Sequence, residues 1–118
     1  MPRAVVWRWR EVLVLFDQGT PAPLRHALVG HVVKTVYERG WSSLKNGELI
    51  ASAESAGFQV FVTTDKNLKY QQNLANRSMA IVVLQTTSWP RIQQALPRVV
   101  AAVAAASKGS YCEVNAEW

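Results

Sequence analysis

The sequence predicts an α/β fold: a three-layer α/β/α domain with a mainly parallel central sheet of four to five strands. Two observations carry this. Short continuous apolar runs rich in Val, Ile, Leu and Phe recur along the chain, as expected of strands buried on both faces. Helical spacings and turn residues separate them, and strands that alternate with helices favour a parallel sheet covered on both sides.

The elements follow in order. Val12 to Phe16 is an unbroken apolar run and reads as the first strand, stopped by the turn residues Asp17-Gln18-Gly19-Thr20-Pro21. Pro21 and Pro23 suit the entry to a short helix that reaches Val29 and stops at Gly30. His31 to Val36 reads as the second strand, Gly40-Trp41-Ser42-Ser43 as loop, and Asn46 to Ala56 as a helix ended by Gly57. Phe58 to Thr63 is the third strand, and Lys66 to Leu74 is a short polar helix or loop. Met79 to Leu84 is the fourth strand. Pro90 then opens a long helix with the core stripe Ile92, Leu96, Val99, Val103 and Ala106, kinked at Pro97 and closed at Gly109. Tyr111 to Val114 is the fifth strand.

A chain of 118 residues suits one domain that buries its own core, taken here as residues 12–118. Residues 1–11 place Arg3, Arg8 and Arg10 among Trp7 and Trp9. They read as a basic arm for phosphates, as an unstructured tail, or as sequence upstream of the natural start. The lone Cys112 forms no internal disulfide and has no partner at metal-ligand spacing, which fits a reducing cytoplasm. No apolar run approaches the roughly 20 residues that span a bilayer, so no membrane association is expected. The net charge of +5 favours polyanionic partners through steering and counterion release.

In open parallel sheets, ligands sit beyond the carboxyl ends of the strands, where the strand order reverses. Asp17 and Asp65 each follow an apolar strand and so belong to that rim, while Glu48 opens the helix before the third strand. Carboxylates gathered there could hold Mg²⁺ or Mn²⁺ through oxygen ligands. Each also has a purely structural reading: Asp65 as a helix N-cap, Asp17 in an Asx-turn, Glu48 as an acid favoured by the helix dipole. Spacing alone leaves both open.

Three blocks bear a resemblance: Phe16-Asp17-Gln18-Gly19-Thr20-Pro21; Gly40-Trp41 with Lys45-Asn46-Gly47-Glu48-Leu49; and Thr63-Thr64-Asp65-Lys66-Asn67-Leu68 with Tyr70-Gln71-Gln72-Asn73. Together, and in this order, they resemble the small bacterial PIN-like proteins (the group called domain of unknown function 5615), relatives of toxin ribonucleases of toxin–antitoxin pairs. The resemblance runs from about Val12 to Val114. It implies a PIN-like fold and a Mg²⁺- or Mn²⁺-dependent ribonuclease with Asp17, Glu48 and Asp65 as catalytic and metal-binding residues. It further implies RNA as substrate and a small antitoxin protein as partner; a second copy of the chain is a further candidate partner, with the oligomeric state left open. Asn46 and Asn67 stand where that family carries acids, and with Thr64 they are supporting residues. Two amides in place of carboxylates lower the charge offered to a divalent ion. A second reading therefore stays open, a catalytically degenerate PIN-like module that binds RNA or a protein partner without cleavage.

Lys45, Lys66, Lys69, Tyr70, Gln71 and Arg77 are the candidate nucleic-acid contacts, with cations for phosphates and a ring for stacking. A solvated helix face explains the lysines equally well. Thr86-Thr87-Ser88-Trp89-Pro90 reads as a helix N-cap followed by a proline first turn. Trp41 either walls the site or packs as a half-buried loop residue. His26 and His31 have no ligand partners at suitable spacing and read as structural or surface groups.

Overall fold

The computed structural model describes residues 12–68 and 77–115. The sequence-predicted strands all form, as β1 (Leu13–Phe16), β2 (Val32–Thr35), β3 (Val60–Thr63), β4 (Ala80–Leu84) and β5 (Tyr111–Val114). They make one five-stranded, all-parallel sheet in the order β2-β1-β3-β4-β5. A six-residue 3₁₀ helix, Ala22–Ala27, links β1 to β2, with prolines at its entry. Helix α1 (Asn46–Ser55) links β2 to β3, and helices α2 (Trp89–Gln94) and α3 (Leu96–Ala105) link β4 to β5. Among the described residues no helix is long and apolar enough to cross a membrane.

The pleat explains why the strands are apolar throughout. Side chains alternate between faces, so a strand covered on both sides needs apolar residues at every position. On one face Val14, Phe16, Val60, Val62, Val82 and Leu84 pack with Leu24 and Leu28 of the first crossover and with Ile92, Val99 and Val103 of α2 and α3. On the other, Leu15, Phe61, Ile81 and Val83 pack with Leu49, Ile50 and Ala53 of α1 and with Leu68. These are the three layers. Each fully buried Leu, Ile or Phe contributes about 1.5–3 kcal/mol through the area it removes from water. The β4-to-β5 connection lies on the same face as the β1-to-β2 connection but runs the other way along the sheet. Those two crossovers therefore have opposite hands, a departure from the strong preference for right-handed connections.

The long kinked helix expected after Pro90 is two helices that meet at Ala95. Pro97 supplies no N–H and its ring excludes the carbonyl four residues earlier, so one continuous helix ends there and a new one starts with proline in its first turn. The stripe is still used: Ile92, Val99 and Val103 are buried, and Leu96 and Ala106 pack beside them. Ser88 caps α2 as expected, its hydroxyl accepting the Arg91 N–H at 3.5 Å.

The amino end of the sheet is closed by Glu54. Its carboxylate accepts the Ser78 N–H (2.6 Å), the Ser78 hydroxyl (2.9 Å) and the Met79 N–H (3.1 Å), with the Arg77 guanidinium 3.7 Å away. Burial pushes its pKa up, but these donors outweigh that and hold it below the ordinary carboxylate value.

Candidate functional site

The sheet order reverses between β1 and β3: from β1 the chain moves one way to β2, and later strands build on the other side. Asp17 leaves the carboxyl end of β1 and Asp65 that of β3, and these strands are direct neighbours, Phe16 pairing with Val62. The Asp17 N–H extends the ladder by donating to the Val62 carbonyl at 3.1 Å. Parallel pairing thus brings the two acids to the switch point, where the connections after β1 and β3 leave to opposite faces of the sheet, the place where ligands bind in open α/β sheets.

A shared hydroxyl joins them. Thr63, 1 % exposed, donates its Oγ1–H to Asp17 Oδ2 and accepts the Asp65 N–H at 3.0 Å. The other Asp17 oxygen, Oδ1, accepts the Thr20 hydroxyl at 2.7 Å. Thr20 is itself buried, 3.0 Å from the Val62 carbonyl, in a turn closed by its N–H on the Asp17 carbonyl at 3.2 Å. Asp17 is therefore oriented by two hydroxyls, not by the Asx-turn that its sequence context suggested. At Asp65, Oδ1 accepts the Asn67 N–H at 3.0 Å, the bond of an Asx-turn, and Oδ2 accepts the Asn46 Nδ2–H at 3.1 Å. Every one of these donors is neutral. The described ion pairs lie elsewhere, at Arg25–Glu38 and Arg77–Glu54.

Gly19 lets the turn after β1 lie against the strand end. A Cβ at that position would meet the Thr64 hydroxyl, so a side chain there requires Thr64 to rotate away.

The remaining sequence-predicted residues divide by location. Asn46, the first residue of α1, meets Asp65, whereas Glu48 one half-turn later is exposed. Among the described residues no three of His, Cys, Asp and Glu converge closely enough to hold a metal ion together. Lys45, just before α1, and Lys66, just after Asp65, are exposed beside the acid pair. Arg77 precedes β4, at the opposite end of the sheet, where it faces Glu54. Lys69, Tyr70 and Gln71 lie outside the described residues, as do most of the polar segment and the basic arm. Trp41 packs edge-on against Phe58 with centroids 5.9 Å apart, and Arg39 sits 4.8 Å over its ring. Phe58 precedes β3, so Trp41 faces away from the acid pair. His26 is exposed, and His31 precedes β2 at the far end of the sheet.

Thr20 and Thr63 are the site residues that sequence reasoning missed. Their signal is a hydroxyl three residues after Asp17 and another two before Asp65, each within one turn of an acid at a strand end. Among the described residues, only neutral donors orient the two carboxylates, and no cationic side chain pairs with either. Mg²⁺ commonly uses one or two carboxylates and fills its remaining positions with water and phosphate oxygens, so this donor set fits a largely hydrated divalent cation.

Fold and site together define a class: a doubly wound parallel α/β domain with two oriented carboxylates at its switch point. Neither a protein-family model, nor a curated protein, nor a solved structure matches the chain.

Proposed function

We propose that this chain is a PIN-like, Mg²⁺- or Mn²⁺-dependent ribonuclease, the toxin of a cytoplasmic toxin–antitoxin pair. One observation carries the reading: Asp17 and Asp65 share the Thr63 hydroxyl at the β1–β3 switch point and meet no cation of the chain among its described residues. Asp17 and Asp65 would hold the ion, which supplies a water of lowered pKa and positive charge for a phosphodiester. The chain's own residues do the positioning. Thr20 and Thr63 fix Asp17, while Asn46 and the Asn67 N–H fix Asp65, so neither carboxylate reorganises when a ligand arrives. Exposed Lys45 and Lys66 draw the RNA backbone towards an otherwise repulsive pair of acids.

The test is cleavage of single-stranded RNA with Mn²⁺, with Mn²⁺ binding followed by calorimetry. Asp17→Asn and Asp65→Asn are each expected to abolish cleavage and to remove the binding heat. Undiminished cleavage in both variants refutes the assignment.

A second reading has its own observation. The Asn46 amide fills the position beside Asp65 that the family resemblance gives to an acid, and Glu48 stays exposed. A pair so reduced suits a module that binds RNA or a partner protein without cutting it. Absence of Mn²⁺ binding together with retained RNA binding is the result that selects it.

A further inference from the structure

The turn after β2 holds an aromatic ring out into solvent. Val36 is buried at 2 % exposure and Trp41 packs inward, but Tyr37 between them is 80 % exposed. Its ring has no partner among the described residues. A tyrosine ring is largely apolar, and leaving it in water forgoes the stabilisation of burial.

The backbone on either side of it is held by hydrogen bonds. The Val36 N–H donates to the Phe16 carbonyl at 2.8 Å and so locks the turn to the end of β1. The Arg39, Gly40 and Trp41 N–H groups donate to the carbonyls of Thr35, Tyr37 and Val36 at 3.1, 3.0 and 3.0 Å. Glu38 and Thr35 exchange reciprocal bonds, Thr35 N–H to Oε1 at 2.9 Å and Glu38 N–H to the Thr35 hydroxyl at 3.0 Å. The Arg25 guanidinium clamps both Glu38 oxygens at 2.7 and 3.3 Å. Gly40 turns the chain with φ +74°. This is a braced platform, and its acid is already neutralised by an arginine.

Its place on the sheet gives it a ligand. Strand order puts the ends of β2, β1 and β3 side by side, so Tyr37, Asp17 and Asp65 follow one another along the same rim. Neighbouring strands are about 4.8 Å apart, which sets Tyr37 one strand from Asp17 and two from Asp65. Lys66, which follows Asp65, and Lys45, which precedes the Asn46 that meets Asp65, are exposed close to this rim. An exposed ring, the proposed ion-binding acids and two nearby cations match an unpaired strand, which offers π-faces and phosphates in alternation.

We infer that Tyr37 is a stacking platform for one base of single-stranded RNA, holding the adjacent phosphodiester over Asp17 and Asp65. This rests on the ribonuclease reading for what happens at the acids, but the stacking step needs no metal. The experiment uses the full chain with a fluorescently labelled oligouridylate of about ten nucleotides, in chelator, followed by anisotropy. Tyr37→Ala is expected to weaken binding roughly 5- to 100-fold with an unchanged melting temperature, because the ring is exposed. Tyr37→Trp is expected to retain binding. Equal affinity in the unaltered chain and Tyr37→Ala, or no binding by either, overturns the inference. So does a Tyr37→Trp variant as weak as Tyr37→Ala. Cleavage in Asp17→Asn and Asp65→Asn is assayed separately, so failure of the metal-dependent reading leaves a distinct signature.

Discussion

Replacing Thr63 by Val removes the hydroxyl that ties the two acids together while keeping the side-chain shape. Thr63 is 1 % exposed, so no bulk water stands ready at its own position. The change deletes a donor to the Asp17 carboxylate and an acceptor for the Asp65 N–H. A hydrogen bond to a charged group contributes about 1.5–3 kcal/mol, and a buried N–H left unpaired costs about 1–3 kcal/mol. Asp17 and Asp65 are themselves half-buried and retain their bonds to Thr20, Asn46 and Asn67, so water recovers part of that loss. The expected destabilisation is about 2–4 kcal/mol, a large share of the roughly 5–15 kcal/mol typical of a domain. In urea the midpoint then falls by about 1–2 M. Thr63→Ser keeps the hydroxyl, loses one methyl, and is expected to cost only about 1 kcal/mol. Equilibrium urea unfolding of the three proteins decides the matter. A Val variant within about 0.3 M of the unaltered chain, or a Ser variant as damaged as the Val one, refutes the shared-hydroxyl account.

Two further perturbations test the electrostatics. Glu38 is held at a pKa of about 2, below its ordinary 4.5, chiefly by the Arg25 hydrogen bonds and then by the Thr35 N–H. A depressed carboxylate pKa gives stability that is complete above the unfolded value and is lost as pH falls through the folded one. The Arg25–Glu38 contribution is therefore expected to disappear between about pH 4.5 and 2, and Arg25→Ala to flatten that part of the stability profile. An unchanged acid limb in that variant removes the clamp from the account of the Tyr37 turn. At the rim, Asn46→Asp sets a second carboxylate where the amide now donates to Asp65 Oδ2 at 3.1 Å. Without divalent ions the variant is expected to lose about 1–3 kcal/mol, and millimolar Mn²⁺ is expected to restore it. Thermal melts with and without Mn²⁺ read both effects, and a variant indifferent to Mn²⁺ argues against a cation between residues 46 and 65.

Much of this molecule was legible in its sequence because burial leaves local marks. An apolar residue at every position from Val12 to Phe16, or from Ala80 to Leu84, is what a strand covered on both faces requires. Pro21, Ser88 and Pro90 mark helix starts through capping and a fixed φ, so those elements fell where expected. Pro97 was visible too, but whether a proline bends a helix or breaks it depends on what both halves pack against. Asp17 and Asp65 were assignable to one rim from the strand–acid pattern alone. That Asn46 and not Glu48 meets Asp65 was not, because a rotation of α1 about its axis exchanges the two and only the packing of Leu49, Ile50 and Ala53 sets that rotation.

By itself, then, the sequence determined the kind of layers, the places of the strands along the chain and the acids that close two of them. These follow from local periodicity and turn chemistry, which act over a few residues. Tertiary structure alone decided the order β2-β1-β3-β4-β5, the crossover of opposite hand, and the sharing of Thr63 between two acids 48 residues apart in the chain. It also sent Arg77 to Glu54 at the far end of the sheet and left the Tyr37 ring in solvent on a braced turn. Those outcomes depend on which strand edges pair and how helices rotate against the sheet, and such long-range choices leave no periodic trace in the sequence.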